Sequence, residues 1–219
     1  MKTINTIALL LFASAIFCQT TFDLPTDYVR GQLFFIDNVS NGQNYIGSPY
    51  LTDEFEAGKI YTDDKTYPAM MRYNAYADII EIKTGEDSNN QLSKTKNVWV
   101  KIKNSEFLLK ELPDSNLAYV QKLVAGDKIS LWLRNSSKFN EAKPARSSYG
   151  TDKPAEFIMR KTYYIERESR LAEISLKKKD ILALFGNKES DMKRYCKEHR
   201  LSYSEEVDVV KMLRYFNIN

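Results

Sequence analysis

Met71-Arg72-Tyr73-Asn74-Ala75-Tyr76, followed after a short gap by Ile80-Glu81-Ile82-Lys83, decides the fold class of this chain. Met71, Tyr73 and Ala75 alternate with Arg72, Asn74 and Tyr76, and Ile80 and Ile82 alternate with Glu81 and Lys83. A period of two puts one set of side chains on each side of a pleated ribbon, which is the pattern of antiparallel strands with one buried face. Val98, Val100 and Ile102 repeat it against Asn97, Trp99 and Lys101. Further strands are expected over 107–112, 119–124 and 129–133, and a late hairpin over 157–166 and 171–176. Turn formers separate them: Asp63-Asp64-Lys65, Gly85-Glu86-Asp87-Ser88-Asn89-Asn90, Asn104-Ser105 and Gly126-Asp127. Short connections favour pairing between sequence neighbours, so an antiparallel meander is predicted, with curling into a partial barrel as one outcome.

After Ser175 the apolar period becomes helical. A short helix is expected over 178–185, stopped by Gly186 at a left-handed cap, and a second over 188–200 presenting Met192, Tyr195, Cys196 and His199. Ser204 is expected to cap a third, with Glu205 and Glu206 in its first turn and a stripe of Val207, Val210, Leu213 and Phe216. The fold class read from this pattern is α+β, with two or three short C-terminal helices. Its organisation is a leader over 1–18, an antiparallel β domain over 19–176 and a helical unit over 177–219 packed on it. The link over 139–154, with Pro144, Ser147, Ser148, Gly150 and Pro154, is long for a compact domain. It reads as a solvated excursion, with a flap over the sheet as the competing reading.

The leader begins Met1-Lys2-Thr3 and continues as the apolar block from Ile7 to Cys18. That block is shorter than the roughly 20 apolar residues that span a bilayer, and its single lysine precedes it, as in a secretory signal peptide. Cleavage after Cys18 is expected; cleavage after Ala15 and lipoprotein processing at Cys18 are the alternatives, and only the last attaches the protein to a membrane.

With 32 basic and 29 acidic residues in 219, no field points to nucleic acid. Cys196 is the one cysteine left by cleavage after Cys18, so the mature chain has no internal disulfide, and His199 is the single histidine. Zinc sites, Ser-His-Asp hydrolysis and Cys-His proteolysis therefore lack parts unless Cys196 and His199 meet, and Cys196 reads as a small buried hydrophobe. Acidic groups cluster at Asp53-Glu54-Glu56, Asp63-Asp64 and Glu86-Asp87, where a carboxylate-dependent hydrolase would find acid and base, yet each lies beside turn residues. None matches a calcium loop, no glycine-rich phosphate loop is present, and neither metal nor cofactor is expected. Lys177-Lys178-Lys179 reads as a solvated run, and Asn38-Val39-Ser40 and Asn135-Ser136-Ser137 match glycan sequons. Tyrosine is abundant, 14 against 11 Phe and 2 Trp, and suits both half-buried strands and binding surfaces. Arg72, Tyr73, Asn74 and Tyr76 are the candidate binding residues.

Gly47-Ser48-Pro49-Tyr50-Leu51 with Phe55, Gly58 and Lys59; Met71-Arg72-Tyr73-Asn74-Ala75-Tyr76 with Asp78, Ile80 and Glu81; and Lys153-Pro154-Ala155-Glu156-Phe157 with Tyr163-Tyr164 together resemble a large group of exported Bacteroidota proteins. The terminal Leu213-Arg214-Tyr215-Phe216-Asn217 extends the resemblance. It implies export and a bacterial host, hence unglycosylated sequons, and it implies no activity; a periplasmic or envelope-associated location is expected, with secretion as the second choice. The expected function is a non-enzymatic protein that binds an envelope ligand or partner through its sheet. The alternatives are the hydrolase and an interaction protein that uses its helical tail.

Overall fold

The computed structural model describes residues 24–30, 44–86, 88–145 and 151–219. The expected leader over 1–18, the Asn38 sequon, Asp87 and the middle of the 139–154 link lie outside the described residues. The described chain forms β1 (Val29–Arg30), β2 (Tyr45–Ile46), β3 (Glu56–Tyr61), β4 (Thr66–Asn74), β5 (Ile79–Lys83), β6 (Asn89–Leu92), β7 (Trp99–Ile102), β8 (Ser105–Glu111), β9 (Leu117–Val124), β10 (Ser130–Asn140), β11 (Ala155–Arg167) and β12 (Arg170–Ile174). Helices α1 (Lys178–Ala183), α2 (Glu189–Glu198) and α3 (Glu206–Ile218) follow. This is the expected α+β arrangement.

One sheet holds the strands in the order β1-β6-β5-β4-β3-β7-β8-β9-β10-β11-β12, with β2 parallel to the start of β11. From β3 onward neighbours in sequence pair, as the short turns require, except where β7 returns past three strands to the free side of β3; β1 and β2 pair at a distance, with β6 and β11. The arc from β4 to β10 then curls until its ends touch. Ser137 N–H of β10 donates to the carbonyl of Ala75, just beyond β4, at 2.9 Å.

The cross-strand register puts Met71, Tyr73, Ile80, Ile82, Ile60, Val100, Phe107 and Tyr119 on the inner face of the curl, where they form the first core. Between β9 and β10 the register slips, Leu131 facing Val124 but Trp132 facing Lys122, so that Leu123 is an inserted residue. The slip moves Val124 off the face of Val120 and onto that of Leu131. There Val124, Ile129, Leu131 and Ile165 make a second core with Ile181, Phe185, Met192, Val209, Met212 and Leu213 of the helical unit. A smaller cluster of Leu112, Ala118, Val120, Trp132 and Tyr164 lies on the opposite face.

The helical tail is also pinned by polar contacts. Asn217 accepts from the N–H of Ile129 at 3.0 Å and donates to its carbonyl at 2.9 Å, so one carboxamide mimics a strand partner. Gly126 leaves it room, since a Cβ there would collide with the Asn217 side chain.

Several local expectations are corrected. Asn89 and Asn90, read as turn, belong to β6, their polar side chains suiting a short strand beside the edge. Residues 139 and 140 finish β10, and Lys143 bridges Lys153, so the link is partly paired. Helix α1 ends at Ala183, and Gly186, at φ +52°, opens a 3-10 turn instead of capping it directly. Ser204 does not cap α3: Glu205 holds that position without a side-chain cap bond, and Asp208 of the first turn instead accepts from Ser202 N–H at 3.0 Å. The buried stripe of α3 is Val209, Met212 and Leu213, while Val207 is 66% exposed, because the helix lies on the sheet by the face one residue further round.

Deleting residues 177–219 uncovers Val124, Ile129, Leu131 and Ile165 together. The remnant is expected to keep strand signal in the far ultraviolet, lose its near-ultraviolet signal and bind the dye ANS. A sharply melting remnant that binds no dye would show that the sheet needs no helical cover.

Candidate functional site

The candidate residues Arg72, Tyr73, Asn74 and Tyr76 sit where β4 ends and the turn to β5 begins, and three of them are already occupied. Glu81 of β5, 7% exposed, lies directly across from Arg72. Its carboxylate takes Arg72 Nε at 2.9 Å and Nη2 at 2.8 Å, Asn74 Nδ2 at 3.0 Å and Asn89 Nδ2 at 3.3 Å. The Arg72 guanidinium is held between two rings, 3.6 Å from the centre of Tyr50 and 4.4 Å from that of Phe55, and donates to the carbonyl of Asp53 at 2.7 Å. Burial, then the Glu81 charge, push the Tyr50 hydroxyl well above its ordinary pKa. Asn74 turns its Oδ1 to the N–H groups of Tyr76 and Ala77 at 3.1 and 2.9 Å, an Asx turn that starts the β4–β5 hairpin.

Asp78, at φ +54°, finishes that turn with an inward carboxylate. It accepts from Tyr73 Oη at 2.8 Å and Tyr119 N–H at 3.1 Å and pairs with Lys94. Tyr73 Oη also lies 3.0 Å from the carbonyl of Asn135 on β10. Burial, then Asp78, raise the Tyr73 pKa strongly, so the phenol stays a neutral donor. Tyr76 packs edge-on against Phe157.

The segment over 47–51 straps this turn from outside: Leu51 N–H donates to Tyr73, and the Pro49 carbonyl accepts from Ala75 and Tyr76. Ser48 accepts through its carbonyl from Ser137 Oγ at 3.2 Å, and Gly47, at φ +79°, lies so close to the Phe157 carbonyl that no side chain fits. The three sequence motifs therefore meet at one joint, and their residues are spent on closing the sheet.

The other sequence candidates do not converge. Cys196 is 2% exposed and burial raises its thiol pKa, while exposed His199 lies against the Tyr195 ring at 4.5 Å. Glu56 is paired with Lys103 at 2.6 Å, Asp53 accepts from Ser48, and Asp63 accepts from Asn97 at 2.8 Å. Among the described residues no group of three or more His, Cys, Asp or Glu comes together. Asn135, the second sequon, is buried on β10.

Sequence reasoning missed a cavity of about 270 Å³ on the inner face, at the open end of the curl beside this joint. Leu51, Tyr73, Ile102 and Phe107 give it apolar and aromatic walls; Thr52, Asn104 and Ser105 add polar groups, and the Glu56–Lys103 pair stands at its edge. A hydrogen-bonded line leads inward from it. Ser105 Oγ accepts from Gln121 Nε2 at 3.0 Å, and Gln121 Oε1 accepts from Asn135 Nδ2 at 3.5 Å. Asn135 Oδ1 is buried and has no partner among the described residues. The available signal was the polar pair Asn135 and Ser137 recurring at inward positions of β10, where alternation calls for apolar side chains.

Arg72→Ala leaves Glu81 buried without its cation, which costs about 3–5 kcal/mol. Urea unfolding is expected to register that loss, and the double change Arg72→Met with Glu81→Leu to recover part of it. An Arg72→Ala protein as stable as the wild type would remove this pair from the support of the joint.

No family model, no curated protein and no solved structure matches this chain, so the chemistry of these residues is what speaks for a role.

Proposed function

We propose that this is a non-enzymatic envelope protein whose curled sheet holds a small, neutral, amphipathic molecule in the cavity between the 47–51 strap and the β7–β8 turn. The observation that carries the reading is the pairing of an aromatic wall, Tyr73 and Phe107, with the polar groups of Thr52, Asn104 and Ser105 in one cavity. The cavity lies just below the roughly 300–1,000 Å³ typical of drug-sized ligands, which favours a molecule of sugar or amino-acid size.

Chemistry on the bound molecule is disfavoured by the same lining. Glu56 is its single carboxylate among the described residues, and Lys103 holds it, whereas glycoside cleavage needs two carboxyl groups about 5–10 Å apart. Export rests on the leader over 1–18 and on the resemblance of the motifs, and cell fractionation with the mass of the mature N-terminus tests it.

Thermal unfolding against a panel of monosaccharides, amino acids and short-chain lipids tests the binding. A fitting compound at a hundred times its Kd stabilises by about 2.7 kcal/mol. Thr52→Trp, at an exposed position on the cavity lining, is expected to abolish the shift without lowering the melting temperature of the free protein. A panel without effect, or a shift that survives Thr52→Trp, defeats the reading.

A further inference from the structure

Strand β11 is the longest in the sheet and is covered unevenly on the side away from β10. Strand β2 pairs with it at Ala155 and Glu156, and β12 pairs with it from Tyr163 to Arg167. Between them, over 158–162, no strand of the described residues pairs with that side. The Phe157 carbonyl points that way, because it meets Gly47 of the strap. Backbone groups alternate along a strand, so Met159 and Lys161 present their N–H and C=O groups to the same side. No described residue hydrogen-bonds them.

The opening spans five residues, roughly 16 Å at about 3.3 Å per residue, the length of an ordinary strand. At one end it runs into a cavity of about 330 Å³ lined by Lys161, Thr162, Tyr163, Glu173, Ile174 and Ser204, where β12 stops pairing. Ile158, Met159, Arg160 and Lys161 are all exposed. Lys161 is held by Glu206, but Arg160 and Lys138, which share one face of the sheet, have no carboxylate partner among the described residues.

These charges choose the occupant. A second copy pairing antiparallel about the centre of the opening would set Arg160 against Arg160, and like charges directly opposite destabilise a ladder. We propose that the opening takes an extended segment of a partner protein as an added strand, with an acidic side chain beside Arg160 and an apolar one beside Met159. Backbone bonds to Met159 and Lys161 supply the attachment, and the Arg160–Lys138 pair supplies the selection.

The test uses the full chain and a fluorescent eight-residue peptide of alternating valine and glutamate, with the valine–lysine peptide as its counterpart, read by anisotropy. The glutamate peptide is expected to bind at least tenfold more tightly, and the double variant K138E/R160E to reverse the order. Met159→Pro removes an outward N–H without touching the β10 ladder, and should abolish binding of both peptides with the circular dichroism unchanged. Equal affinities, a preference that survives K138E/R160E, or binding that survives Met159→Pro each overturn the proposal. So does a concentration-dependent dimer lost in Met159→Pro, which would assign the edge to a second copy.

Discussion

A sheet that curls without closing its ladder must be held at its curvature by something else, and here that is the β4–β5 turn. Its backbone is bonded on one side by Pro49 and Leu51 and on the other by Ser137, and its ends are fixed by two carboxylates of opposite aspect. Glu81 draws Arg72, Asn74 and Asn89 together on the outer face, and Asp78 draws Tyr73, Tyr119 and Lys94 together on the inner. Each neutral hydrogen bond adds only about 0.5–1.5 kcal/mol net, but a buried carboxylate deprived of its donors costs more than any single bond contributes. The turn therefore opens as a unit or not at all, and both the cavity and the first core take their shape from it.

The single inserted residue at Leu123 has an effect out of proportion to its size. Without it, Val124 would share the face of Val120 and the second core would lose a strand residue to the opposite side. The slip lets one continuous face serve two kinds of packing, sheet on itself at one end and helix on sheet at the other.

The alternating stretches revealed the strands because burial there is a property of each residue in turn: Met71, Ile80, Val100, Ile102 and Phe107 announce their side of the sheet. What sequence hid was pairing at a distance. Nothing in β7 says that it returns to β3, since both are alternating ribbons with interchangeable edges. The motif around Arg72 and Asn74 drew attention because polar and aromatic groups crowd it, and much of that crowding is internal satisfaction, by Glu81 of the next strand and by the distant segments around Tyr50, Asp53 and Ser137. Asn135 and Ser137 carried the opposite message. They break the apolar pattern of β10, and the cavity's polar line begins from that break. In α3, Val207 and Val209 are equally apolar, and only the angle at which the helix meets the sheet decides between them.

The clasp between Asn217 and Ile129 joins the last turn of α3 to the residue just ahead of β10, laid down eighty-eight positions earlier. During synthesis Val124, Leu131 and Ile165 therefore leave the ribosome well before the side chains that cover them. Until the last turn of α3 emerges, that apolar face lacks its full cover. The seal is completed only when that turn arrives, so a polypeptide stopped short of Asn217 has its sheet without the clasp.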